Sequence, residues 1–206
     1  MTDLDLLLIL EYLVYWTLFG FLHSLFASYY AYRVFKKFGF GPRAHRLAFN
    51  AWATFSLLAV LLLVPNPLSP LMELSKLDIW LAILTILLLI SGSIIAVLGV
   101  LAWDLLAFSG LKLEKGELKV KGAFAFARHP VYTGAIIVFL SLALMDLTEG
   151  SLSWLLGTAG YFVIGSFPEE RKLAIIFKNY PEYRENVGRF FPWKKKHLKY
   201  FLAHFR

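Results

Sequence analysis

The sequence predicts an all-α integral membrane bundle of five transmembrane helices, with the N-terminus outside and the C-terminus cytoplasmic. Three observations predict it. Of 206 residues, 59% are hydrophobic and 17% charged, against roughly 45–50% and about 25% in soluble domains. Five runs are uncharged or nearly so and approach the ~20 residues that cross a hydrocarbon core: residues 6–27, interrupted by Glu11, then 47–64, 79–103, 131–145 and 151–168. The basic residues alternate between loops. Arg33, Lys36, Lys37, Arg43 and Arg46 lie between the first two spans, and Lys112, Lys115, Lys119, Lys121 and Arg128 between the third and fourth. Ten more follow the last span, and Lys76 alone occupies the other loops. Twenty of the twenty-one basic residues thus fall on one side, and cytoplasmic loops are those that carry the excess.

Taken in order, the first span starts after Asp3 and Asp5 and lacks the positive n-region and cleavage site of a secretory signal, so it is expected to be retained. Pro65-Asn66-Pro67 through Pro70 reads as an external loop after the second span. In the third span, Gly92 and Gly99 with Ser91 and Ser93 suit close helix packing, and Asp104 beside Trp103 ends it as a cap or a ligand contact. The fourth and fifth spans hold fifteen and eighteen residues. At ~1.5 Å per residue they cover only about 22–27 Å of a ~30 Å core. Joined by the short acidic loop 146–150, they form an antiparallel hairpin. The beginning of the fourth and the end of the fifth are then neighbours, so Arg128-His129-Pro130 is expected to face Pro168-Glu169-Glu170. Residues 169–206 complete the single domain as a cytoplasmic, cofactor-covering and interfacial segment. It contains a helix over 169–180 and a tail whose Lys194-Lys195-Lys196, with Trp193, Tyr200 and Phe201, suits anionic headgroups.

Composition also excludes. Cysteine is absent, which rules out disulfides, thiolate metal sites and a cysteine nucleophile. Glutamine is absent and asparagines number four, a depletion that fits a thermophilic source. The net charge of +7 reads as orientation and headgroup contact in a multi-pass prokaryotic cell-membrane protein rather than as nucleic-acid binding. No obligatory protein partner is expected.

The meeting point of the last two spans carries the chemistry. Pro130 suits a first helical turn, where its missing N–H costs nothing. The free N–H groups of that turn are a receptor for a carboxylate or phosphate. Gly134, one turn in, would let a ligand or another helix approach the backbone. Opposite, Glu169 and Glu170 would hold an ammonium group, and Tyr132, Tyr180, Tyr183, Phe190 and Phe191 offer faces that attract cations. S-adenosylmethionine combines a carboxylate, an ammonium and a sulfonium. Methyl transfer from it to a sulfur, oxygen or nitrogen nucleophile needs no protein nucleophile, since positioning and water exclusion supply about 7–11 kcal/mol. His23 or Glu170 would accept the acceptor's proton if they face the cavity.

Gly122, then Arg128-His129-Pro130-x-Tyr132-x-Gly134, then Glu169-Glu170 and Tyr180-x-x-Tyr183-x-x-x-Val187-x-Arg189-Phe190-x-Pro192 resembles the integral membrane methyltransferases typified by isoprenylcysteine carboxyl methyltransferase and the phospholipid methyltransferases. The resemblance covers residues 98–192. It implies S-adenosylmethionine bound between the last spans and the C-terminal segment. His129, Pro130, Tyr132, Gly134, Glu169, Glu170, Tyr180, Tyr183 and Arg189 would be cofactor contacts, with Arg128, Glu170 and His23 as the catalytic candidates and no metal. The N-terminal half, Phe21-Leu22-His23-Ser24-Leu25-Phe26-Ala27-Ser28 followed by Arg46-Leu47-Ala48-Phe49-Asn50, is similar to NnrU-like proteins and membrane methanethiol S-methyltransferases. This widens the expected acceptor from a lipophilic molecule to a small thiol, carboxylate or amine at the cytoplasmic face. The NnrU likeness also implies an alternative, a haem-binding redox or isomerase protein with His23 and His129 as axial ligands.

Overall fold

The computed structural model describes residues 4–102 and 118–205, and the reading of Asp104 falls outside them. Among the described residues every regular element is helical. The first three are α1 (Leu6–Ala27), α2 (Tyr29–Lys37) and α3 (Pro42–Leu63), followed by a 3₁₀ segment (Ser69–Lys76) and α4 (Ile79–Leu101). The second half holds α5 (Ala123–Phe126), α6 (Pro130–Met145), α7 (Glu149–Ile176), α8 (Tyr180–Asn186) and α9 (Lys195–His204).

Side-chain oxygens and prolines set the starts of these helices. The Asp5 carboxylate accepts from the Leu7 and Leu8 N–H groups to open α1, and Asp78 accepts from Trp80 to open α4. Both satisfy donors that a helix start leaves free. Pro42 begins α3 and Pro130 begins α6, positions where proline removes no intrahelical bond. Thr148 and Ser151 form a reciprocal capping box at the start of α7.

Three helices, α1, α3 and α4, are long and apolar enough to cross a membrane. Their apolar windows are only 17%, 11% and 11% buried within the protein. That much uncovered apolar surface requires lipid around it. Of the five expected crossings these three meet the requirement of length and composition; α6 is apolar but has 16 residues, and α7 carries Glu169, Glu170, Arg171 and Lys172 in its last third.

Two expectations change. The region between the first two spans contains the amphipathic α2, and α3 begins at Pro42 rather than at residue 47. More consequential, α7 does not stop at Pro168. It runs for 28 residues with Pro168 inside it, so there is no separate helix starting at Glu169. The missing proline N–H leaves one hydrogen bond unmade. The helix continues into the turn beyond, where Glu170 is clamped by the guanidinium groups of Arg128 and Arg189 described below.

Packing joins α4 to α6 and α1 to both α3 and α7. A Cβ on Gly134 would lie 2.4 Å from the Gly92 carbonyl and 2.5 Å from the Ala96 nitrogen. One on Gly99 would lie 2.8 Å from Val131. The glycines therefore set backbone-to-backbone contact between α4 and α6, the close approach that small residues allow in membrane helices. The Ser141 hydroxyl donates to the Thr85 carbonyl at 2.7 Å across the same seam. At one end of the bundle, Trp16, Phe19, Val60, Val64 and Trp154 form an aromatic core, and the Trp154 indole donates to the Pro65 carbonyl at 2.8 Å. A second core, Tyr180, Tyr183 and Val187, lies in the C-terminal segment.

Candidate functional site

The expected meeting of residues 128–130 with 168–170 is present, and it is built around Glu170. This carboxylate is 5% exposed and belongs to an exposed turn of α7 only by sequence. Its Oε1 accepts from Arg128 Nε at 2.9 Å and Nη2 at 2.8 Å, and lies 3.2 Å from His129 Nε2. Arg189 approaches as a fork, with Nε at 3.2 Å from Oε1 and Nη2 at 3.0 Å from Oε2. Two-pronged arginine–carboxylate pairs of this kind are among the stronger hydrogen-bonded ion pairs. Arg189 also lies over the Phe167 ring at 4.1 Å. Burial alone would push the Glu170 carboxyl up, but hydrogen bonds from His129 and Arg128, the Arg128 charge and the Arg189 bond hold it at about 2. An acid that strong is a poor proton acceptor near neutral pH. Glu170 therefore organises the site as a permanent anion.

The backbone holds the same residues in place. Arg128 N–H donates to the Gly188 carbonyl at 3.0 Å and His129 N–H to the Arg189 carbonyl at 3.1 Å, so the extended chain 188–190 lies along the entry to α6. The Thr133 hydroxyl donates to the Phe190 carbonyl at 2.9 Å, and the Arg128 guanidinium donates to the Arg184 and Val187 carbonyls. The Tyr183 hydroxyl, in the second core, donates to the Phe124 carbonyl at 2.7 Å.

Glu169 has a different environment. Adjacent helical positions point about 100° apart, and Glu169 turns away from the arginines toward a cavity. Its side chain is 40% exposed. Its Oε2 accepts from the Tyr132 hydroxyl at 2.8 Å and lies 3.4 Å from His129 Nδ1. His129 is thus held between two carboxylates. Burial opposes its charge, but the hydrogen bonds and charges of Glu169 and Glu170 raise its pKa above the ordinary imidazole value.

The cavity measures about 150 Å³. Glu169 forms its acidic wall, Arg128 and Lys119 its basic one, and Phe124, Tyr180 and Phe177 part of its aromatic lining. Tyr180 is fully buried, with its hydroxyl beside the Arg128 guanidinium but short of good hydrogen-bond geometry with it. Burial and the Glu170 charge push this phenol up to about 12, so it remains a neutral donor. A buried hydroxyl without a well-formed hydrogen bond, on a cavity wall, is a place where a ligand oxygen or nitrogen would gain a partner.

Of the residues expected at the site, Arg128, His129, Pro130, Tyr132, Glu169, Tyr180 and Tyr183 line this cavity. Glu170 and Arg189 lie behind it as a clamp. Gly134 faces Gly92 and Ala96 of α4, where backbone contact leaves no room for a ligand. His23 sits on α1 among Phe19, Phe49 and Tyr161, and its Nδ1 is buried without a partner. It reaches the cavity only through a chain of ring contacts, Tyr161 to Phe162 to Tyr132. The cavity wall also includes Leu118, Lys119, Phe124, Leu173 and Phe177, which were not anticipated. Glu169, Leu173 and Phe177 stand four residues apart, the spacing of one helix face. That signal was present in the sequence. Lys119 and Phe124 had none.

Comparison with known proteins bears on this geometry. Residues 30–187 match the family described as "Protein of unknown function (DUF1295)". The chain belongs to this family. The matched region includes both the Arg128–Tyr132 entry to α6 and the paired glutamates of α7. Among curated relatives, the chain is 31% identical over 75 residues to a methanethiol S-methyltransferase of Mycobacterium tuberculosis, covering 36% of this chain and 30% of the relative. It is 31% identical over 87 residues to methanethiol S-methyltransferase 1 of Bradyrhizobium diazoefficiens, covering 42% and 30%. It is 33% identical over 78 residues to a methanethiol S-methyltransferase of Pseudomonas deceptionensis, covering 37% and 29%. The matches thus span less than a third of the length of these relatives. No solved structure matches the chain.

Proposed function

We propose that this DUF1295 member is an S-adenosylmethionine-dependent membrane methyltransferase acting on a lipophilic or small thiol, carboxylate or amine acceptor at the cytoplasmic face. In this reading α6 and the apolar part of α7 are the fourth and fifth crossings. At ~1.5 Å per residue, the twenty residues from Glu149 to Pro168 match a ~30 Å core. Glu169 and Glu170 would then emerge at its surface.

One observation carries the proposal: a single cavity combines a half-exposed acidic wall at Glu169, a basic wall at Arg128 and Lys119, and an aromatic lining that includes the fully buried Tyr180. The donor set fits a zwitterion that also carries a sulfonium. Glu169 would take the ammonium, Arg128 and Lys119 the carboxylate, and the rings of Tyr132, Tyr180 and Phe177 the cationic and nucleoside parts. The cavity is smaller than the roughly 300–1,000 Å³ typical of drug-sized ligands, so binding would spread its walls.

The cofactor, when bound, supplies an activated methyl group, whose carbon–sulfur bond breaks as the bond to the acceptor forms. The protein's residues orient and exclude water. The Glu170 clamp fixes Arg128 and His129 so that cavity polar groups are in place beforehand, which is how positioning lowers a barrier. With Glu169 holding the ammonium, the proton of a thiol or amine acceptor would leave to solvent water at the half-exposed mouth of the cavity.

The relatives' printed names support transfer to a thiol. The structure favours the haem reading less, because both His129 nitrogens lie against carboxylates, Nδ1 at 3.4 Å from Glu169 and Nε2 at 3.2 Å from Glu170, in the positions an axial iron would take. The test is incubation of the purified chain with methyl-labelled S-adenosylmethionine and, separately, methanethiol, long-chain thiols, prenylcysteines and lipid extract. Label in an acceptor supports the proposal; no transfer to any of them, together with no cofactor binding by calorimetry, would overturn it.

A further inference from the structure

A second cavity lies on the far side of Arg128 from the first, with a volume of about 510 Å³. Its walls come from the end of α8 and the start of α9. Arg184, Arg189, Lys194 and Lys196 line it, opposed by one carboxylate, Glu185. Arg189 is committed to Glu170 and Lys194 lies over the Trp193 ring at 4.4 Å. Among the described residues no carboxylate pairs with Arg184, Lys194 or Lys196. The lysines also sit where lysines are least favoured. Lys194 is the N-cap of α9 and Lys195 and Lys196 are its first residues, with no side-chain cap and no acid in the first turn. Cations at the positive end of a helix repel it. Such an arrangement is stabilised when an anion occupies the end.

A buried side chain points to the same occupant. His197, also lining the cavity, is 4% exposed, and its Nδ1 is buried without a hydrogen-bond partner. The nitrogen packs against Gly188, where the Phe191 carbonyl already leaves no room for a Cβ and His197 Nδ1 would lie 3.2 Å from one. A buried polar atom without a partner is costly unless a ligand supplies one.

We propose that this cavity binds a phosphate group, held by Arg184, Lys194, Lys196 and His197, and separate from the Glu169 cavity. The same chemistry is offered by an anionic phospholipid headgroup and by a soluble phosphate ester. The site does not depend on methyl transfer, because none of these four residues touches the Glu169 cavity.

The test uses the full chain. In detergent, its unfolding temperature is followed against inorganic phosphate with potassium chloride at matched ionic strength. In nanodiscs, it is compared between phosphatidylcholine alone and phosphatidylcholine with phosphatidylglycerol. Saturable stabilisation by phosphate points to a soluble ester, and stabilisation by phosphatidylglycerol alone to a lipid; either supports the site. In both arms Arg184→Ala with Lys196→Ala is expected to weaken the effect at least ~10-fold, as loss of a charge-assisted contact does. His197→Phe, which keeps the ring volume, is expected to weaken it as well. No stabilisation in either medium, or an equal one in wild type and the double variant, overturns the proposal.

Discussion

Replacing Glu170 with glutamine removes one negative charge from beneath Arg128, Arg189 and His129 while keeping the side-chain shape. The cost can be worked two ways. The carboxyl is held at about 2 against its ordinary 4.5, and ~2.5 units at about 1.36 kcal/mol each give roughly 3 kcal/mol. Removing one partner of a buried ion pair costs about 3–5 kcal/mol, so the two routes agree. For a chain of this size each kcal/mol shifts the unfolding temperature by about 2–4 °C, which places Glu170→Gln roughly 6–12 °C below wild type. Glu169→Gln is the contrasting variant. Its side chain is 40% exposed and its contacts are with Tyr132 and His129, so the expected loss is about 0–1 kcal/mol. Differential scanning fluorimetry in detergent reads both. A Glu169→Gln protein as destabilised as Glu170→Gln, or a Glu170→Gln protein within a degree of wild type, would refute the division between a structural and a ligand-facing glutamate.

Three other outcomes follow from the same contacts. Gly134→Ala places a Cβ 2.4 Å from the Gly92 carbonyl, and thermal unfolding should show a loss at the upper end of the ~1–3 kcal/mol range for overpacking. Tyr183→Phe leaves the Phe124 carbonyl without its 2.7 Å partner, and unfolding should report a loss of about 1–3 kcal/mol. Stability should also peak in a defined pH window. The depressed Glu170 carboxyl contributes fully above 4.5 and loses its contribution as pH falls toward about 2. The raised His129 imidazole contributes fully below 6.5 and loses its contribution as pH rises through its folded value. Unfolding temperature against pH should therefore be highest between 4.5 and 6.5, with the acid limb missing in Glu170→Gln and the alkaline limb weakened in His129→Gln.

The meeting of residues 128–130 with 168–170 was legible because it needs only two short apolar runs and a tight loop, a constraint of chain geometry. The helix start at Pro130 was legible for a similar local reason, since proline fits only certain positions. What escaped the sequence depended on partners distant in the chain. Pro168 signals a helix end locally, whereas α7 runs through it into a turn where Glu170 is clamped by Arg128 and Arg189, residues 42 before and 19 after it. Glu169 and Glu170 are chemically identical, and nothing local says which one meets the arginines. Gly134 suited a ligand or a helix equally until Gly92 and Ala96 of α4 were placed against it. The basic cavity at His197 escaped because the tail reads as a run of headgroup-facing lysines, and the burial of a single imidazole among them is set by the path of residues 188–194, which folds back against it.

The central claim is that the Glu169 cavity is where the methyl donor binds. Equilibrium dialysis of labelled S-adenosylmethionine against the wild-type chain, Glu169→Gln and a Glu73→Gln control, a carboxylate of the 3₁₀ segment that does not line the cavity, tests it most directly. Saturable binding at one site per chain is expected, weakened ~10-fold or more in Glu169→Gln by loss of a charge-assisted contact and little changed in the control. Absence of saturable binding in the wild type, or equal affinity in Glu169→Gln, would contradict it.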